Sequence, residues 1–472
     1  MTATRRLLAS ALALSLPLAA IAQTAPAADP AAAPAAAPAP VAAPAAAPVA
    51  APVAAPAAAP APAADGVKFT PYGFILANAF FTGNSLTDQD YPGTAVAAAK
   101  GGSVLFSARQ SRIGFRVSTK EDLTGSDLSG VLEFDFSGGH APGNPTCTYS
   151  AGPPIAIACT QGAASSTAWY NALVRLRIAS MTAAWKTDAG TFSVLAGQDV
   201  GIVNVLFAES LAWVAKPLFW QSGNLWRRSP QFRATWAGTF GDFGVSAAVA
   251  ALSPATTEAG TSVPTTTPNP DFGAGNQSRM PNIEGRLAGT AKFPMDVTVA
   301  VGLGYHQNTR RLAYHTANQL DVDGSLIGVD VDLGLTKYAQ VKGEYYTGKG
   351  ADDTYNAIGN STYGTGLAIK PLESSGYWAQ LIAKPLPWAW ITVGLGHAEV
   401  DKDNSPLTTS TGAARVQQNN QLAGGVIINA GKAWRFGVEY VQLSTEYFAA
   451  TRGAPNVKQE ATQIGVSSQL KF

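Results

Sequence analysis

Val297-Thr-Val299-Ala-Val301-Gly-Leu303-Gly-Tyr305-His306 puts an apolar side chain at every odd position and a small or polar one at every even position. Successive side chains of an extended chain point to opposite faces, so this run is a strand with one greasy face. The pattern recurs on both sides of it. Ile327, Val329, Val331 and Leu333 alternate with Gly328, Asp330 and Asp332. Phe232, Ala234 and Trp236 alternate with Gln231, Arg233 and Thr235, and Val174, Leu176 and Ile178 with Leu173, Arg175 and Arg177. Many runs reach about ten residues, the length a tilted strand needs to cross a membrane. Strands of a soluble sandwich average nearer five or six.

Charged residues make up 13% of the chain, against about 25% in ordinary soluble domains. The most apolar window, residues 202–220, is broken by Asn204, Glu209, Ser210, Lys216 and Pro217, so it is no membrane helix. In lipid, backbone polar groups must pair internally, which leaves closed barrels as the other spanning fold. The fold class that follows is all-β, a transmembrane antiparallel β-barrel of about sixteen strands. Short turns at 240–242, 292–295, 334–336, 385–387 and 430–432 alternate with long polar loops near 84–102, 138–168, 253–279, 306–322, 348–373, 401–417 and 445–460. Trp185, Trp236, Trp388, Trp390, Trp434 and Tyr440 sit near strand ends, where aromatic girdles belong. Ile464, Val466, Leu470 and Phe472 share one face of the last strand. That ending resembles the C-terminal signal of outer-membrane barrels and places the chain in the outer membrane of a Gram-negative bacterium, in contact with lipid and lipopolysaccharide.

The segments before the barrel read differently. Arg5 and Arg6, an apolar run over 7–21 and the small-residue site at Ala20-Ile21-Ala22 make residues 1–22 a cleavable signal peptide. Residues 23–65 are almost wholly Ala and Pro and read as a disordered, semi-rigid periplasmic spacer that could touch peptidoglycan. The barrel takes residues 66–472. Cys147 and Cys159 are expected to form a local disulfide, since no His or third Cys lies between them to make a metal site.

A barrel of this size keeps an aqueous lumen, so function falls to whatever narrows it. Residues 200–228 are unlike the other long loops: Ile202, Val203, Leu206, Phe207, Leu211, Trp213, Leu218, Phe219, Trp220, Leu225 and Trp226 make them greasy. Such a segment is expected to fold inward as a constriction, bringing Glu209, Arg227 and Arg228 to the bore; a subunit contact or a packed cap on the rim are the alternatives. Face parity turns Arg112, Arg116, Arg175, Arg177, Arg233 and Arg286 inward, together with Glu133, Asp135, Glu284, Asp330, Asp332 and Glu344. Separated arrays of opposite sign bias which solutes enter, unless the arginines pair with Glu133 and Asp135 and only stiffen the wall. His140, His306, His315 and His397 form no metal spacing and no nucleophilic dyad, with His306 and His397 expected at the mouth. Neither an enzyme nor a cofactor is expected, and no basic run points to nucleic acid.

Ser107-Ala-Arg109-Gln-Ser-Arg112-Ile-Gly-Phe115-Arg116 resembles the second-strand motif of the DcaP-like porins. Leu195-Ala-Gly-Gln198-Asp199, Pro217-Leu-Phe219 and Arg228-Ser-Pro-Gln231-Phe-Arg233 resemble that family's fifth strand, third loop and sixth strand. The resemblance covers the first half of the barrel. It implies a homotrimeric porin biased towards small anions such as dicarboxylates, with Arg112, Arg116 and Arg233 lining the pore. The family's N-terminal coiled coil is replaced here by the Ala/Pro stretch, and Asp199 stands where a Trp is usual. A structural barrel tied to the cell wall by that stretch is the alternative. A gated uptake receptor would need a plug domain that residues 23–65 cannot form.

Overall fold

A computed structural model describes residues 66–96, 101–119, 125–138, 143–149, 157–162, 172–254, 273–312, 320–351, 354–355, 357–358, 361–363, 369–401, 415–449 and 455–472. The expected signal peptide (1–22) and Ala/Pro spacer (23–65) lie outside these residues. The barrel opens with β1 (Val67–Thr82), then β2 in two pieces (Ser103–Ser107 and Arg112–Thr119), β3 (Asp127–Asp135), β4 (Arg175–Thr187) and β5 (Gly190–Val200). It continues with β6 (Arg228–Phe240), β7 (Phe243–Leu252), β8 (Asn282–Phe293), β9 (Val297–Leu312), β10 (Leu320–Thr336) and β11 (Ala339–Lys349). The last five are β12 (Glu373–Leu386), β13 (Ala389–Val400), β14 (Val416–Ala430), β15 (Trp434–Tyr447) and β16 (Val457–Lys471). Each pairs antiparallel with the next, and β1 pairs back onto β16, so the described residues form a closed sixteen-stranded barrel. Across the seam Phe74 meets Lys471 and Thr82 meets Gln463.

Burial follows face parity, but inside out relative to a water-soluble protein. On β9, Val301, Leu303 and Tyr305 are exposed, while His306, Asn308 and Arg310 are buried. An outer belt of exposed Val, Leu, Ile and Phe around a polar interior is stable only with lipid outside. The small face of β9 has a second use. A Cβ on Gly304 would lie 2.2 Å from the carbonyl oxygen of Val203, so only glycine lets the inner loop lie against the wall there.

Four features depart from simple alternation. The register shift at Glu133 and Phe134 leaves Arg177 as an extra residue in β4, a bulge opposite β3, and Arg177 and Ile178 consequently both turn inward. Ile178 therefore leaves the lipid face that alternation assigned it. Gln198 donates to the carbonyls of Leu176 (3.0 Å) and Arg177 (3.2 Å), serving the backbone groups at the bulge, and Gly197 beside it has φ of +121°. Trp390 is not in the girdle: Ile391 and Val393 take the outer face, so Trp390 shares the inner one with its cross-strand partner Ile427. The turn expected at 334–336 falls two residues later, because β10 runs on to Thr336. The long loop near 138–168 carries a hairpin of its own, Gly143–Tyr149 on Ile157–Gly162, whose register sets Cys147 opposite Cys159. The side chains of that hairpin lie outside the description.

The core of the molecule is inside the bore. Residues 201–227 enter it and bury nine of the eleven apolar side chains singled out above, with Leu206 and Phe207 half-buried. Trp213 stacks near Phe80 of β1 (6.3 Å between ring centres) and Phe219 near Trp378 of β12 (6.1 Å). Ala423, Val441, Leu443 and Ala461 complete that cluster from β14, β15 and β16. At about 1.5–3 kcal/mol per large side chain, this burial holds the loop in place. Two further loops fold over it. Asp90, Tyr91 and Ala95 are buried after β1, and Ala351, Tyr355 and Ile358 after β11.

Candidate functional site

Inside a barrel, the inner loop must find partners for its own backbone groups. On one side these are carboxylates. Glu284 of β8 accepts from the Ile202 N–H (2.7 Å) and also holds Tyr355 Oη and His306 Nδ1. Glu344 of β11 accepts from Asn204, from the Leu225 N–H and from Trp378 Nε1 (2.8 Å). Glu439 of β15 accepts from the N–H groups of Leu211 (2.9 Å) and Ala212 (2.7 Å). His306, expected at the mouth, is instead fully buried on Glu284. His397 is bonded to Asn420 (2.7 Å).

On the other side the partners are arginines. Arg112 donates to the Val214 carbonyl (3.0 Å), and Arg175 and Arg177 to that of Ala215 (3.0 and 3.3 Å). The same guanidinium groups grip β3. Arg175 binds Asp135 through two nitrogens (2.9 and 2.6 Å), Arg177 bridges Glu133 and Asp135 (2.7 Å each), and Arg112 lies 3.6 Å from Glu133. Tyr72 Oη donates to the other Glu133 oxygen (2.9 Å). This network sets three arginines against two carboxylates. Arg228 adds a further positive charge: it leans on the Trp226 ring (5.1 Å) and has no carboxylate within ion-pair distance among the described residues. Its charged surroundings are Arg177, Arg175, Arg112 and Asp135.

The space the inner loop leaves open lies against this wall. A cavity of about 380 Å³ is lined by Arg112, Glu133, Arg177, Glu209, Arg227 and Arg228 and by Phe207, Trp213, Pro217 and Trp226. Arg227 turns into the wall, where it donates to the Ser253 carbonyl. Nearby on the loop, Lys216 sits 3.7 Å over the Trp220 ring and 5.1 Å over Tyr91. Burial pushes its pKa down to about 8, with Asp88 opposing the fall and Arg175 adding to it.

No sequence-family model and no curated protein matches the chain. Solved structures do match. The outer-membrane channel DcaP of Acinetobacter baumannii is 16% identical and superposes with a TM-score of 0.62 over 86% of this chain and 98% of its own. An anion-selective porin from Comamonas acidovorans is 13% identical over 86% of this chain and all of its own, with a TM-score of 0.49. The chain has an outer-membrane porin fold. The barrel gathers Arg112, Glu133, Asp135, Arg175, Arg177, Glu209, Arg227 and Arg228 around one region. Arg233 lies one strand pair away on Asp199 (2.9 Å), and Arg286, on β8, makes two hydrogen bonds to Asp330 and one to the Val203 carbonyl (3.1 Å). Arg116 stands apart over the Tyr72 ring at 4.3 Å.

Sequence reasoning missed Arg109 and Gln110. They occupy the interruption of β2, which lets both turn inward. Gln110 Oε1 accepts from Val214 (2.8 Å) and Ala215 (3.0 Å), and its Nε2 donates to the carbonyls of Asp90 and Ala212. Arg109 holds the buried Asp90 carboxylate at 2.6 Å. One short break in the porin wall thus fastens both the first loop and the inner loop. The signal was present in the run of polar residues, Arg109 to Arg112, where alternation fails.

Proposed function

We propose that this chain is a porin of the Gram-negative outer membrane, a water-filled channel for passive diffusion of small polar solutes with a mild preference for anions such as dicarboxylates. In the same reading residues 1–22 are an export signal, residues 23–65 a periplasmic spacer, and the working unit a homotrimer, as the likeness to DcaP-like porins implies. The observation that carries the anion preference is the excess of arginine over carboxylate at the cavity beside the inner loop, with Arg228 the surplus charge. Fixed positive charge in a narrow, partly dehydrated bore acts more strongly than on an open surface, where salt screens it within about 8–10 Å. Glu133, Asp135 and Glu209 at the same place keep the effect a preference and not an exclusion of cations. The test is reconstitution of the full chain in a planar bilayer under a salt gradient. Discrete conductance steps are expected, with a reversal potential on the anion side that shrinks as salt is raised. A protein that inserts but gives no steps would overturn the channel reading.

A further inference from the structure

Glu209 is fixed at its root and loosely held at its tip. A single wall side chain, Gln380 of β12, clamps both of its backbone groups: the Glu209 N–H donates to Gln380 Oε1 (2.7 Å), and Gln380 Nε2 donates to the Glu209 carbonyl (2.8 Å). Its carboxylate takes one hydrogen bond, from Arg435 Nη2 of β15 at 3.1 Å. That side chain is 28% exposed, whereas Arg435 is 11% exposed. Arg435 is itself well seated. Its Nε donates to Asn429 (3.0 Å), and its guanidinium lies 5.0 Å from the centre of the inward-turned Trp390 ring. The Lys384 ammonium lies 5.1 Å from the same ring, and Lys471 of β16 is within electrostatic reach of both Arg435 and Glu209. Arg435 and Lys471 therefore share one carboxylate, with Lys384 beside them on the Trp390 ring, and that carboxylate belongs to the loop that also lines the arginine cavity.

We infer that Arg435, with Lys384 on the shared Trp390 ring, forms a second anion site in the bore, and that Glu209 is its tethered occupant, displaced by a passing carboxylate. The inference rests on the channel reading above and deepens it. An arginine fork matches a carboxylate with two parallel bonds, and Glu209 uses one. A partly exposed, singly bonded pair is weak, so a free carboxylate that takes both bonds competes well. Because the root of Glu209 is pinned, the side chain returns once the solute has moved on. This meets the requirement that a channel bind tightly enough to admit a solute and weakly enough to release it. Trp390 gives the solute an apolar platform beside the charge.

The experiment compares the full-length protein with Glu209→Gln, Arg435→Gln and the double variant in planar bilayers, using potassium chloride and potassium acetate. Glu209→Gln should raise the anion-to-cation permeability ratio about twofold, the size expected for one charge removed at a distance of roughly 10 Å in a wet bore. The acetate current should also saturate at lower concentration, because the site is vacant. In the Arg435→Gln background the same change should leave acetate saturation unaltered. Glu209→Asp keeps the charge but is too short to reach Arg435; it should leave the permeability ratio near wild type while the acetate current saturates earlier, and it covers the case in which the amide fails to assemble. A conducting Glu209→Gln channel with unchanged reversal potential and saturation overturns the inference and leaves the channel reading standing. A double variant that keeps the full acetate gain overturns the assignment to Arg435. A wild-type protein that passes no current overturns both readings.

Discussion

The two sides of the bore hold the same loop with charged side chains of mostly opposite sign, Arg286 of β8 on the Val203 carbonyl (3.1 Å) being the exception on the acid side. On the β8, β11 and β15 side, Glu284, Glu344 and Glu439 accept from its N–H groups. On the β2 and β4 side, Arg112, Arg175 and Arg177 donate to its carbonyls. The difference lies in what is left over. Each acid-side carboxylate is buried and takes several donors on one oxygen or both, from the loop and from neighbouring side chains. The basic side holds more guanidinium than its carboxylates can neutralise, and the open cavity lies there. Both walls thus anchor the loop, while the arginine excess beside the cavity lies on one of them, although both are built from inward-facing charged residues that look alike in sequence.

The largest expected effect comes from breaking the acid side. Glu439→Ala leaves the buried N–H groups of Leu211 and Ala212 without an acceptor, a loss of about 2–5 kcal/mol. The inner loop should loosen, with larger and noisier conductance steps and faster proteolysis within 201–227. Wild-type conductance and protease resistance in that variant would show that apolar packing alone holds the loop. A smaller effect is expected on the basic side. Arg228→Gln removes a charge that has no carboxylate partner among the described residues, so heat stability should stay unchanged while the anion preference falls by roughly two- to fivefold. A fall in stability with selectivity intact would show that Arg228 braces the wall and does not set the anion preference. The smallest effect is the response to pH. Lys216 is charged below about 8 and neutral above it, so raising the pH from 7 to 9 should cut the anion preference, by less than about twofold. Lys216→Met should flatten that pH profile at its high-pH level; a profile that still bends near 8 would assign the titration elsewhere.

Much of this was legible in the sequence because a barrel wall is periodic. Runs such as 297–306 give each side chain its face, and a greasy 200–228 could not have stayed in water. What escaped was aperiodic. The bulge that turns Ile178 inward depends on its pairing with β3, which no single strand reveals. The inward Trp390 was misplaced because proximity to a turn outweighed parity. Parity shows that Arg177 faces in, but not that it meets Glu133 and Asp135, since partners come from neighbouring strands. Glu439 was overlooked because an acid on the inner face of a barrel is ordinary; its importance lies in two loop N–H groups more than two hundred residues earlier in the chain.

The anchoring of the inner loop also imposes an order of assembly. Its backbone partners sit on β2, β8, β11, β12 and β15, strands that face one another only after the β1–β16 seam has shut. Until then Trp213, Phe219 and Trp226 have no cover. Contacts this distant along the chain form late, and apolar surface waiting for them is prone to associate wrongly. Docking of the loop should therefore be the last and slowest step in refolding. Closed barrels with an undocked loop would accumulate first, recognisable by Trp fluorescence that lags behind the gain of β structure.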